Sequence, residues 1–203
     1  MSLAPWRSPL SRALHRNRSL PNARYFQLAT VRPNGQPANR TVVFRGFTPE
    51  SDRLQTVTDT RSQKIHQIEH LTWGEICWYF PKTREQFRLN GSLLLIKPDD
   101  SNATAQEMRS RLWQVLSDNA RSQFGWPCPG TPLLATSDFE TSDFETSDFE
   151  SQPLDPDSPP DTFCILVLEP VWVDHLELRG NPQNRYIYKR DAPDSWSVQA
   201  VHP

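Results

Sequence analysis

The sequence predicts a mainly β domain, an antiparallel barrel or sandwich with helical additions, and three observations predict it. Six or more segments are rich in β-branched and aromatic residues and long enough for strands. Two of these, 24–32 and 37–47, flank Pro33-Asn34-Gly35-Gln36, and an Asn-Gly pair between such segments signals a hairpin. Strands and helices do not alternate in the regular order of parallel βαβ units.

From the amino end, Trp6, Leu10 and Leu14 recur at i, i+4 and i+8, one face of a short docking helix in an arm over residues 1–19. The arm also carries Arg7, Arg12, Arg16 and Arg18, so a transit peptide or a nucleic-acid contact is the competing reading. After the hairpin, a strand over 53–58 leads into a helix over 60–69, with Asp59 or Thr58 as N-cap and Ile65 and Ile68 on one face. Segments 74–80 and 86–96 read as strands around the loop 81–84, and 103–119 as a second helix. Three more strands, 163–177, 185–189 and 196–201, close the chain.

Two hundred and three residues suffice for one principal core, placed over 20–203 and interrupted by an insertion over 136–161. No apolar run reaches the length of a membrane span, and the first twenty residues lack a secretory signal, so a soluble, cytoplasmic protein without membrane contact is expected. Cys77, Cys128 and Cys164 are odd in number and lack ligand spacing, so they read as reduced thiols with no metal site. The net charge of −2 hides an asymmetry: no acid precedes Glu50, and no Lys or Arg lies between Thr136 and Asp161. Within that acidic stretch Thr136-Ser137-Asp138-Phe139-Glu140 is repeated as 141–145 and 146–150. A five-residue period fits neither helix nor strand and Pro153, Pro156, Pro159 and Pro160 follow it, so the segment reads as a disordered surface insertion, against an acidic lid that uses Phe139, Phe144 and Phe149.

Three polar clusters carry the chemistry. Thr58 to Lys64 places Arg61, Ser62 and Lys64 at the start of a helix, where cations alone are mildly unfavourable and an anion such as a phosphate monoester is favoured. Arg40 on the hairpin would complete a clamp, and the plain alternative is a capped helix with a solvated basic turn. Alternation along the strand puts Arg40, Val42 and Phe44 on one face and Thr41, Val43 and Arg45 on the other. A flat ring at the strand edge would meet backbone groups of Val42 to Phe44 while Arg40 meets its phosphate. Gln86 and Arg88 share the face opposite Phe87 and Leu89, directed at a ligand or at water. His66 reads as a packed or capping histidine, and no residue stands out as a general base.

These residues carry a family resemblance. The runs Asn22 to Val31, Gly35-Gln36-Pro37, Arg40 to Arg45, Ser62 to Ile68, Trp78-Tyr79-Phe80-Pro81 and Glu85 to Gly91 resemble the pyridoxamine 5′-phosphate oxidase family, nearest to a subgroup known as FMN-binding. The resemblance implies a split β-barrel homodimer with FMN in two clefts at the subunit interface. It implies that Arg40, Thr41, Val42, Val43 and Phe44 line the ring and phosphate, that Val57 and Thr58 touch the ring or ribityl chain, and that Ser62 and Lys64 hold the phosphate. Gln86 would reach the flavin held mainly by the other subunit, and Arg185, in Asn184-Arg185-Tyr186, would approach the flavin. Gln63 stands where the family has an arginine, with Arg61 as its substitute.

The departures concern substrate. Arg45 stands where the oxidase has a substrate-binding lysine, Arg121 is the one cation near Gln114, Asp118 and Ser122, and Asn181 and Gln183 stand where an arginine and a histidine grip substrate. The resemblance therefore implies an FMN flavoprotein oxidising a small, phosphorylated amine or alcohol with oxygen. The alternatives are an FMN-dependent reductase of another small molecule or a non-catalytic FMN-binding protein. A nucleic-acid binder using the basic arm is disfavoured by the pI of 6.2 and by the lack of a recognition motif.

Overall fold

The computed structural model describes residues 3–132 and 154–203; the Thr136–Glu150 repeat lies outside the described residues. The chain divides into two compact units, one of Met1–Val57, His66–Leu95 and Ile165–Pro203, the other of Thr58–Ile65 and Ile96–Cys164. The strands are β1 (Tyr25–Val31), β2 (Pro37–Val43), β3 (Gly46–Phe47), β4 (Leu54–Asp59), β5 (Trp73–Phe80), β6 (Glu85–Ile96), β7 (Phe163–Glu177), β8 (Asn184–Ala192) and β9 (Ser195–Val201). They form one sheet in the order β2-β1-β5-β6-β7-β4-β3, with β8 on β7 and β9 on β8.

The β1–β2 hairpin pairs Tyr25 with Val43 through Val31 with Pro37. Gly35 closes its turn at φ 82°, where a side chain would be strained, and Asn34 Oδ1 accepts from Gln36 N–H at 3.1 Å. The segment 37–47 is not one strand: β2 stops at Val43, and β3 begins at Gly46, whose φ of 131° turns the chain toward β4. On β5 and β6 alternate residues are buried, so Ile76, Trp78, Phe80, Phe87, Leu89 and Leu93 form the centre of the first unit's core.

A helix, α1 (Arg7–Asn17), adds Leu10 and Ala13 to that core, and Trp6, just ahead of it, joins them. Its last residue, Asn17, is buried; its Nδ2 donates to Ala13 O at 2.8 Å and Thr83 Oγ1 at 3.2 Å, and its Oδ1 accepts from Lys82 N–H at 2.8 Å. The side chain thus fastens the helix end to the loop between β5 and β6.

The helix expected over 60–69 is α2 (Gln63–His70), which starts three residues later. Asp59 is not its N-cap: the carboxylate folds onto the Arg61 N–H at 2.8 Å, and Thr60 to Ser62 form a turn ahead of the helix. The helix expected over 103–119 is two, α3 (Ala103–Gln114) and α4 (Asp118–Ser122), because Ser117 adopts extended backbone at φ −69°, ψ 156° and starts a new helix. In the second unit Trp113, Phe124 and Phe163 pack edge to face with centroids 5.0–5.7 Å apart. The buried Arg109 donates to Phe163 O at 3.0 Å and to the carbonyl of Pro160, pinning the chain that leads into β7.

Candidate functional site

In the first unit the structure builds a polar node around Arg40. Opposite Leu28 in the hairpin register, Arg40 extends toward the second half of α2. Its Nη1 donates to Leu28 O at 3.1 Å and Thr30 Oγ1 at 2.6 Å, and its Nη2 donates to Gln67 Oε1 at 2.8 Å. The buried Thr30 hydroxyl donates to the same Gln67 oxygen at 2.6 Å. All three acceptors are neutral, so a half-buried guanidinium keeps its charge without a carboxylate partner among the described residues. Burial, and then the charge of Arg32, lowers the Arg40 pKa from its usual value.

The second unit holds the helix-start cluster. Lys64 Nζ donates to Thr58 Oγ1 at 2.8 Å and Ser62 Oγ at 2.7 Å, gathering one ammonium and two hydroxyls at the start of α2. Arg61 is committed elsewhere: its Nε and Nη2 meet Asp59 at 3.0 and 2.6 Å, and Nη2 also donates to Trp126 O at 3.0 Å. The hydrogen bond to Asp59 raises the Arg61 pKa, and the pair neutralises the charge offered in place of the missing arginine at Gln63.

Along the hairpin strand, β2 ends the sheet order, so one row of its backbone groups faces away from β1. Thr41 is exposed and Val42 and Val43 are half-buried. Phe44 turns its ring inward. Its ring packs on Phe47 and Trp78 at 4.9 and 5.0 Å in the core, and its N–H already donates to Arg24 O at 2.7 Å. Arg45 has a buried Nε with no partner among the described residues, and burial, then Arg24, lowers its pKa against an opposing effect of Tyr25. Val57 is half-buried beside the buried Thr58 on β4.

Gln86 lies opposite Tyr79 in the β5–β6 register, on the face away from Phe87. Arg88, on the same face, donates to Glu75 Oε1 at 2.7 Å and stands 3.6 Å from Asp174, so it is an ion-pair member rather than an open donor. Arg185 holds the buried Asp174 through Nε at 3.0 Å and Nη2 at 2.8 Å, which raises the arginine's pKa. Arg121 bonds Gln114 O at 3.3 Å and the Asp118 carboxylate. His66 is exposed, neither packed nor capping, because its helical position turns it away from the face that buries Ile65 and Ile68.

Sequence reasoning missed Thr30 and Gln67, and it gave His175 little weight. The His175 ring is buried; its Nε2 lies 2.9 Å from Glu85 and 3.9 Å from Glu177. A surface cleft lined by Asp52, Arg53, Glu169, Arg190 and Trp196 contains none of the predicted site residues, and its arginines pair with Glu169 at 3.0 and 2.7 Å. The nodes at Arg40 and Lys64, and the unpartnered Nε of Arg45, are donor-rich and cationic. That chemistry fits a phosphorylated ligand and would be wasted on a neutral one.

Comparison with known proteins gives the same class. A profile of the pyridoxamine 5′-phosphate oxidase FMN-binding domain matches residues 3–97. A pyridoxine/pyridoxamine 5′-phosphate oxidase 2 of Arabidopsis thaliana is 38% identical, with 99% of this chain and 98% of the relative aligned. The crystal structure of a pyridoxamine 5′-phosphate oxidase-related, FMN-binding protein of Nostoc punctiforme is 56% identical and superposes over 100% of both chains with a TM-score of 0.91. PhzG of Burkholderia lata, 19% identical, matches over 100% of this chain and 94% of its own with a TM-score of 0.71, and shares the fold. The fold is a mainly antiparallel β structure of the split-barrel type, and the cofactor class is a flavin. The chain belongs to the pyridoxamine 5′-phosphate oxidase family, and its cofactor is FMN.

Proposed function

We propose that the chain is an FMN-dependent oxidoreductase that oxidises a small, phosphorylated amine or alcohol with oxygen as acceptor. The observation that carries this reading is the Arg40 node, a guanidinium held by neutral oxygens alone and so kept in charge for a phosphate. Its support is the Arabidopsis relative that aligns along nearly the whole chain and bears the name of a pyridoxine/pyridoxamine 5′-phosphate oxidase.

In this reading Arg40, Ser62 and Lys64 hold the FMN phosphate. Thr41, Val42, Val43 and the Phe44 carbonyl border the ring, Val57 and Thr58 the ribityl chain, and Arg185 the flavin. Arg61, neutralised by Asp59, contributes least to phosphate binding. When bound, FMN supplies two-electron redox chemistry between substrate and oxygen. Arg45 and Arg121 bind the substrate's anionic group. A homodimer belongs to the same reading: Tyr25, Trp73 and Tyr79 expose aromatic surface on β1 and β5, and Gln86, beside Tyr79, points away from its own core toward a partner's flavin.

Asn181 and Gln183, in place of substrate-gripping cationic groups, favour a second reading, an FMN protein acting on another small molecule. Anaerobic addition of pyridoxamine or pyridoxine 5′-phosphate to the FMN-loaded protein separates the two. Bleaching of the flavin band is expected for the oxidase, and an unchanged band moves the function to another reductant. Light scattering that gives a monomer would end the shared-cleft assignment of Gln86.

A further inference from the structure

We infer that Gln67 is a positioning residue that aims Arg40 at the cofactor phosphate while leaving its charge intact; this rests on the proposal that Arg40 binds that phosphate. Arg40 has five N–H donors. Nη1 spends both of its own on Leu28 O and Thr30 Oγ1, and Nη2 spends one on Gln67 Oε1. The Nε–H and the second Nη2–H have no acceptor among the described residues. These donors sit on neighbouring nitrogens of one planar group, the arrangement that two phosphate oxygens accept together.

The rest of the node fixes that plane. Gln67 Oε1 takes hydrogen bonds from Arg40 at 2.8 Å and Thr30 at 2.6 Å, which closes a ring of three side chains from β1, β2 and α2. Thr30 and Gln67 are 2% and 5% exposed, so water does not compete for these bonds. A carboxylate at position 67 would accept the same two hydrogen bonds and hold the arginine more strongly. It would also neutralise it, so a neutral amide suits a guanidinium whose charge is needed by a third party. Burial in the node lowers the Arg40 pKa without discharging it, since an arginine stays protonated throughout the working range.

The test uses the full-length protein freed of flavin, titrated with FMN and with riboflavin, which lacks the phosphate, by flavin fluorescence. Gln67→Glu should weaken FMN binding about tenfold or more, leave riboflavin binding within about twofold, and leave the melting temperature of the flavin-free protein no lower. An FMN affinity unchanged in Gln67→Glu, or FMN and riboflavin affinities that fall together, would overturn the inference. Should Gln67→Glu fail to fold, Thr30→Val serves: it removes the second fastening of Arg40 and should weaken FMN binding about threefold or more without affecting riboflavin. Equal loss for both ligands in that variant, or no loss, counts against the inference. Arg40→Gln is the control for the underlying reading. A ratio of FMN to riboflavin affinity unchanged there would remove Arg40 from the phosphate site. A ratio that falls in Arg40→Gln but not in the Gln67 variant would overturn only the role of Gln67.

Discussion

His175 Nε2 lies 2.9 Å from Glu85 Oε2 while the imidazole stacks on Phe87, with 4.0 Å between centroids and 12° between planes. Burial raises the Glu85 pKa, but hydrogen bonds from His175 and Thr83 and the charges of His175 and Arg16 outweigh it, so the carboxyl sits below its usual value. A carboxyl depressed on folding stabilises the folded state above its unfolded pKa, about 4.3, and loses that contribution as pH falls through the folded value. Glu85→Gln should therefore lower stability near pH 7, with the deficit shrinking below about pH 4. Urea melts of both proteins at several pH values check this, and a deficit that stays constant into acid would show that the charge of Glu85 does not matter.

Gly91 is required by a close approach. A Cβ there would lie 2.0 Å from Glu169 O and 2.8 Å from Pro170 Cα, both backbone atoms that cannot swing aside. Its partner across β5–β6 is Gly74, where a Cβ would meet Leu93 Cδ1 at 2.6 Å. Gly91→Ala should force the strands apart, costing about 3 kcal/mol and lowering Tm by roughly 10 °C. Gly74→Ala should cost less, because the Leu93 methyl can turn away and the one close backbone atom, Ala29 O at 2.9 Å, is overlapped far less than Glu169 O at 2.0 Å. Thermal melts rank the two.

The sheet was legible because its inner strands alternate. β5 buries Gly74, Ile76, Trp78 and Phe80 and turns Trp73 and Tyr79 outward, a period-two signal that places both ends within a residue. What failed were the punctuation points. Gly46 interrupts a run of strand-forming residues, Ser117 breaks a helix whose composition is otherwise continuous, and Asp59 uses its carboxylate on Arg61 rather than on the helix. At the two candidate nodes, Arg40 and the Ser62–Lys64 pair announce themselves by charge and spacing. Gln67 could not, because a glutamine beside Ile68 looks solvent-facing until the hairpin brings Arg40 and Thr30 to it. The pairing of Glu85 with His175 spans 90 positions and has no local signature.

Arg109 is cationic and lies in the second unit, yet its bonds are structural. Its guanidinium donates to Phe163 O at 3.0 Å and to Pro160 O, which also accepts the Phe163 N–H at 2.9 Å. Arg109→Met keeps the aliphatic packing and removes the donors. It should cost about 2 kcal/mol, from the lost hydrogen bonds, and should leave FMN affinity per folded molecule unchanged. Flavin titration beside a melt separates the two effects, and a selective loss of flavin binding would reassign Arg109 to the site.

The three thiols should react in a fixed order. Cys128 is exposed, Cys77 is half-buried and Cys164 is buried at the start of β7. Burial pushes Cys164 up to about 12, against opposing charges of Lys97 and Arg109, so almost none of it is thiolate at pH 8. Burial also raises Cys77, with Arg88 opposing and Glu75 reinforcing. A disulfide reagent at pH 8 should label Cys128 first and Cys77 more slowly, and reach Cys164 only after urea opens the fold. Rapid labelling of Cys164 in the native protein would mean that the start of β7 opens readily, contrary to the packing of Phe163 on Trp113 and Phe124.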